Sequence, residues 1–149
     1  MKKDVLIHIT GLYDGPEAQD SMELTTIGSF THMPKTDSYY ITYRESEATG
    51  MDGTITTVKV EGDKRVTLIR RGGSKSRLIL ERGRRHLCYY DTGFGDLMVG
   101  IFADLIRCNL QEDGGEVSFR YTLDINSGFA SRNEVNITVR EAGTQICQK

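Results

Sequence analysis

A chain of 149 residues with 38% hydrophobic residues, 16 glycines and only 2 prolines has the size of one domain rich in tight turns. A domain of that length buries about two-thirds of its unfolded surface, so it can fold without disulfide or metal staples. A formal net charge of −2 argues against a general nucleic-acid binder, and no run approaches the roughly 18 apolar residues of a helical membrane span.

The N-terminus carries Lys2 and Lys3, as a signal peptide would, but Asp4 and His8 interrupt the apolar block that an export signal needs after them. The expected location is therefore the cytosol. The cysteines (Cys88, Cys108, Cys147) form an odd, widely spaced set that makes neither a disulfide framework nor a zinc pattern.

Taken in order, Val5, Ile7 and Ile9 alternate with Leu6, His8 and Thr10, the period of a half-buried strand. Asp14-Gly15-Pro16 ends that strand. Met22–His32 reads as a second, long strand with a bulge at Gly28, and Tyr39–Tyr43 as a third, dense in aromatic and β-branched residues. Four further strands follow at intervals of about ten residues. They are Thr54–Val60, Val66–Arg71, Arg77–Arg82 and His86–Tyr90, punctuated by Gly62, Gly72-Gly73, Gly83 and Gly93.

Leu97–Leu110 satisfies two periods at once. Leu97, Val99, Ile101, Ala103 and Leu105 share a strand face, whereas Leu97, Ile101 and Leu105 also have helical spacing. Val99, Gly100 and Ile101 make a poor helix interior and no cap precedes them, so the segment is assigned as a strand buried on both faces. Gly114-Gly115 turns the chain into Val117–Ile125, and Val135, Ile137 and Val139 define the last strand. Residues 143–149 read as a frayed tail.

Nine or ten strands and no convincing helix define an all-β domain spanning residues 1–149. A single antiparallel meander of that length hides its edges most simply by closing into a β-barrel of about 8–10 strands. A sandwich needs long crossovers, which only the segments Asp14–Ser21 and Glu45–Gly53 could supply.

Four blocks carry a resemblance: Asp37-Ser38-Tyr39-Tyr40-Ile41, Thr56–Gly62, Arg85–Gly93 and Tyr121–Asn126. Together and in this order they resemble the YwiB-like family of small bacterial proteins, a domain of unknown function. The resemblance covers nearly the whole chain and implies a calycin-like, lipocalin-type β-barrel. It implies no activity and no catalytic or binding residues.

Asp91-Thr92-Gly93 matches the aspartic-protease tripeptide, but that chemistry needs two loops whose carboxylates share a proton. Here Phe94 follows where a small residue lets such loops pack, so a hairpin turn with Gly93 at positive φ is the stronger reading. His8, His32 and His86 fall on different strands with no carboxylate at ligand-like spacing, so no metal or other cofactor is expected. His86 and Cys88 share a face, yet neighbours two apart on a strand stand about 6–7 Å apart, too far for a direct hydrogen bond.

Arg70 shares a face with Val66 and Leu68, and Arg82 with Leu78 and Leu80, so both point toward a barrel interior near strand ends. Heads in water at the rim are the default; a clamp on an anionic head group is the sharper alternative. Tyr43, Tyr90 and Tyr121 fall on apolar faces, and His86 joins them as a candidate lining residue. Nothing pairs a nucleophile with a base, so an enzyme such as a small hydrolase or isomerase is disfavoured. The leading expectation is a binder of an apolar or amphipathic anion inside the barrel.

Charge supplies the competing expectation. Between Lys59 and His86 ten Lys/Arg stand against three acids, whereas the rest of the chain has nine bases and eighteen acids. Lys64, Arg65, Arg71, Lys75, Arg77, Arg84 and Arg85 suggest a basic surface for protein interaction, with a homodimer using Asp52, Glu112, Asp113 and Glu116 as the counterpart. Nucleic acid is disfavoured as a partner, and no membrane association is expected.

Overall fold

The computed structural model describes residues 2–15, 18–46, 53–72, 75–91, 96–125 and 128–142, with the side chains of Tyr90, Asp91, Asp96 and Phe129 outside the description. Ten strands follow one another: β1 (Lys2–Asp14), β2 (Gln19–Met33), β3 (Ser38–Arg44), β4 (Thr54–Glu61), β5 (Arg65–Gly72), β6 (Ser76–Glu81), β7 (Arg85–Asp91), β8 (Asp96–Gln111), β9 (Gly114–Ile125) and β10 (Gly128–Glu141). Each pairs antiparallel with its neighbour in sequence, and β10 returns to β1, which closes the barrel. The meander therefore leaves no strand edge facing water along most of its girth.

Period-2 alternation sets the inside. Val5, Ile7 and Ile9 of β1, Val58 and Val60 of β4, Val66 and Leu68 of β5, and Ile137 and Val139 of β10 are all buried. Phe30 and Phe119 are the largest side chains enclosed among them. The β6–β7 joint is the sparsest part of the wall. Among the described residues its backbone pairing consists of Ser76 with Tyr90 and the Glu81–Arg84 bridge.

Two expectations change in detail. β2 has no bulge at Gly28, because the β1–β2 register runs unbroken through the Val5–Gly28 pair. Glycine is needed there because a Cβ would press against the Thr42 carbonyl and Ile7 Cδ1, where β3 crosses onto β2.

β8 is a strand, as expected, but it is not buried on both faces: Met98 and Phe102 face solvent at 43% and 38% exposure. The register slips between Ala103 and Leu105. That bulge moves the buried phase from Val99, Ile101 and Ala103 to Ile106 and Leu110. An odd run followed by an even run is what mimicked helical spacing.

The meander places the β1–β2, β3–β4, β5–β6, β7–β8 and β9–β10 connections at one end of the barrel and the remaining turns at the other. β7 runs alongside β8 only as far as the Arg85–Phe102 pair. Beyond it the exposed β8 edge is covered at this second end by the β4–β5 and β6–β7 turns. Gly83 N–H donates to the Ala103 carbonyl at 2.9 Å, and Arg82 N–H to the Lys64 carbonyl at 3.0 Å. Cys108 N–H donates to Asp63 Oδ1 at 2.7 Å.

Candidate functional site

A cavity of about 510 Å³ occupies the barrel interior toward the end carrying the β1–β2, β3–β4 and β5–β6 connections. That volume falls in the range of small-molecule sites, roughly 300–1,000 Å³. Its floor is apolar, made by Ile9, Val58, Leu68, Leu78, Phe119 and Ile137. Polar groups stand nearer the strand ends: Tyr43 and Glu45 on one wall, Arg70 beside them, and Ser131 and Asn133 across from them on β10.

Local alternation places the first group. Tyr39, Ile41 and Tyr43 point inward along β3, and the same phase carries Glu45 inward one step past the strand end. The Glu45 backbone remains attached to β4, its N–H donating to the Thr54 carbonyl at 2.8 Å. On β5, Arg70 continues the inward face of Val66 and Leu68.

The Glu45 side chain is only 2% exposed and Arg70 is 15% exposed. Thr56, itself fully buried, donates its hydroxyl to Glu45 Oε2, and Tyr43 hydrogen-bonds the same carboxylate. Burial pushes the Tyr43 phenol far above its ordinary value, and the neighbouring Glu45 charge pushes it further, against a smaller pull from Arg70. Tyr43 is therefore a neutral donor at any physiological pH. Arg70 Nε lies 3.9 Å from Glu45 Oε2, an ion pair without a hydrogen bond, and that buried nitrogen has no hydrogen-bond partner. Across the cavity Asn133 Nδ2 donates to Ser131 Oγ at 3.0 Å, and Phe119 and Tyr121 stack with centroids 6.3 Å apart.

Three of the six residues singled out from sequence, Tyr43, Arg70 and Tyr121, line this cavity together. Arg82 does not. β6 ends at Glu81, the chain turns through Arg82, and the residue sits exposed at the opposite end of the barrel, so strand alternation no longer governs it. His86 is also away from the cavity. Its Nε2 lies 2.8 Å from Glu81 Oε1, a contact that bridges β6 and β7 and holds the Glu81 carboxyl below its usual range. The side chain of Tyr90, the Thr92-Gly93 turn, Asp52 and residues 143–149 lie outside the described residues. Glu45 was missed because it follows the last strong β-former of its segment. The Tyr39-Ile41-Tyr43-Glu45 phase was the available signal.

The other histidines are held apart. His8 contacts Thr25 and Glu23, and His32 contacts Asp37 while stacking on Tyr39. Among the described residues no three His, Cys, Asp or Glu side chains are grouped to hold a metal ion. The basic residues are likewise divided. Lys64, Arg65 and Arg84 lie at the end carrying the β4–β5 and β6–β7 turns, Arg71 and Lys75 near the opposite one. Arg65 pairs with Glu81 and Arg85 with Asp124 of the same chain.

With this geometry established, sequence comparison places the chain. Residues 7–137 match the family described as a domain of unknown function, DUF1934. The chain belongs to that family. It is 25% identical over 140 residues to an uncharacterised β-barrel protein, YwiB of Bacillus subtilis (strain 168), with 94% of each chain covered. The crystal structure of the ywiB protein from Bacillus subtilis superposes with a TM-score of 0.80 at 22% identity, covering 95% of this chain and 93% of the other. That likeness shows a shared β-barrel fold. No helix among the described residues is long and apolar enough to cross a membrane.

Proposed function

We propose that the barrel is a receptor for a small amphipathic anion, with the apolar body in the cavity and the head group at Arg70. The observation that carries this reading is the arginine itself: its buried Nε has no hydrogen-bond partner, in a cavity whose floor is otherwise apolar. A buried charged donor short of partners costs about 1–3 kcal/mol or more, and an acceptor bound at the exposed part of the Arg70 side chain, which is 15% exposed, would offset part of that cost. Tyr43, held neutral, offers a second polar contact beside it, and the Phe119–Tyr121 wall suits a flat or branched apolar body.

Titration with 8-anilinonaphthalene-1-sulfonate tests the reading, since the probe combines an apolar ring system with an anionic sulfonate. Saturable binding at one site per chain is expected, weakened about 10–100-fold in Arg70→Met, the range of a hydrogen bond to a charged group. Absence of saturable binding, or equal binding by Arg70→Met, would refute the assignment.

A further inference from the structure

The charges that line the cavity do not favour an anion as they stand. Arg70 is the one cation among the described lining residues, and the carboxylate that stands against it is Glu45, 3.9 Å away; Asp20 of β2 borders the cavity at its exposed rim. Glu45 is the nearest and the driest, with its side chain 2% exposed and its oxygens engaged by Thr56 and Tyr43. The titratable neighbours around it are Tyr43, two residues before it, and Arg70 on β5, with Asp20 and Tyr121 on other walls of the same cavity, while Glu134 takes the outward phase of β10 opposite Arg120.

An anion seated on Arg70 would put two negative groups on one guanidinium, one of them the Glu45 carboxylate, which is shielded from water. Two like charges sharing such a site are relieved when one of them takes a proton. The pair is also loosely made, at 3.9 Å and without a hydrogen bond from Nε, so Arg70 can be released to a ligand without breaking a strong contact.

We propose that Glu45 makes ligand capture proton-coupled: the anion takes over the Arg70 charge while Glu45 binds one proton from solvent. The balance is one anion and one proton in, with no net change in the charge of the site. Protonated Glu45 still accepts from Thr56 and Tyr43 and gains an O–H that can be donated to the head group. The barrel then loads an acid in the form of its conjugate base plus a proton, and releases it as pH rises. This inference rests on the reading of the cavity as an anion receptor.

The experiment is calorimetric titration of the full chain with 8-anilinonaphthalene-1-sulfonate at fixed pH in buffers of different ionisation enthalpy. A sulfonate stays ionised throughout, so any proton taken up belongs to the protein. The expected result is uptake of about one proton per bound probe, with affinity falling as pH rises, about tenfold per pH unit where the uptake is complete. In Glu45→Gln, which keeps the shape and an acceptor for Thr56, the uptake disappears and binding no longer weakens as pH rises. Saturable, Arg70-dependent binding with no proton uptake by the native chain would overturn the inference while leaving the receptor reading intact. If the native chain does not bind the probe, both fall. The buffer series on the native chain decides the matter even if Glu45→Gln fails to fold.

Discussion

Asp63 and Cys108 are 45 residues apart, and the Asp63 carboxylate accepts the Cys108 amide at 2.7 Å. The contact fastens the β4–β5 turn to β8 where β7 no longer runs beside it. A backbone donor on an uncovered strand edge is thereby satisfied by a charged acceptor.

Asp63→Ala should cost about 1–2 kcal/mol, the worth of a hydrogen bond to a charged group less its solvent screening. The readout that separates this role from a general loss of stability is amide exchange. The Cys108 N–H should lose protection while the β1–β2 amides keep theirs.

Gly28→Ala should be the most damaging of the glycine substitutions on β1–β3, because the new methyl meets the Thr42 carbonyl and Ile7, which are held by two ladders. Overpacking of this kind costs about 2–3 kcal/mol. At Gly62 the added methyl meets open space and only the positive φ of 61° is strained, about 1 kcal/mol. Urea unfolding midpoints of the two variants should rank in that order, and a reversed order would contradict the close approach of β3 to β2.

Leu80 and Leu78 share an inward face of β6, but only Leu78 borders the cavity. Truncating the fully packed side chain leaves a new void, so Leu80→Ala should cost about 3–4 kcal/mol; Leu78→Ala removes fewer contacts and should cost about 2. Equal losses would mean that the cavity is filled by side chains in solution.

The Tyr43 phenol gives an alkaline signature. Its folded-state value lies above the ordinary 10.0, chiefly through burial, so the folded chain holds a proton that the unfolded chain has released. Its contribution to stability is complete below pH about 10 and declines as pH rises from there toward the folded value. Stability measured by urea unfolding should therefore fall above pH about 10, with a smaller slope in Tyr43→Phe. Absorbance titration should show Tyr43 resisting ionisation until the barrel unfolds, with Tyr39 also ionising late because burial raises its phenol.

Alternation and glycine-marked turns are local properties, repeated every two residues along a strand, and they were enough to define nine or ten strands, one meander and the inward direction of Tyr43, Arg70 and Tyr121. The same reading failed wherever pairing between distant strands decided the outcome. The slip after Ala103 depends on how β8 lies against β9, so the two-phase pattern of Leu97–Leu110 imitated a helix and a doubly buried strand. Arg82 follows the phase of Leu78 and Leu80 in sequence, yet its backbone is taken by Lys64 and Ala103, which turns it out of the strand. Glu45 became a buried partner of Arg70 because β3, β4 and β5 stand side by side, bringing it to Thr56 and Arg70. A two-residue period determines which face a side chain takes; which charge it meets there depends on the register of neighbouring strands and on closure of the barrel.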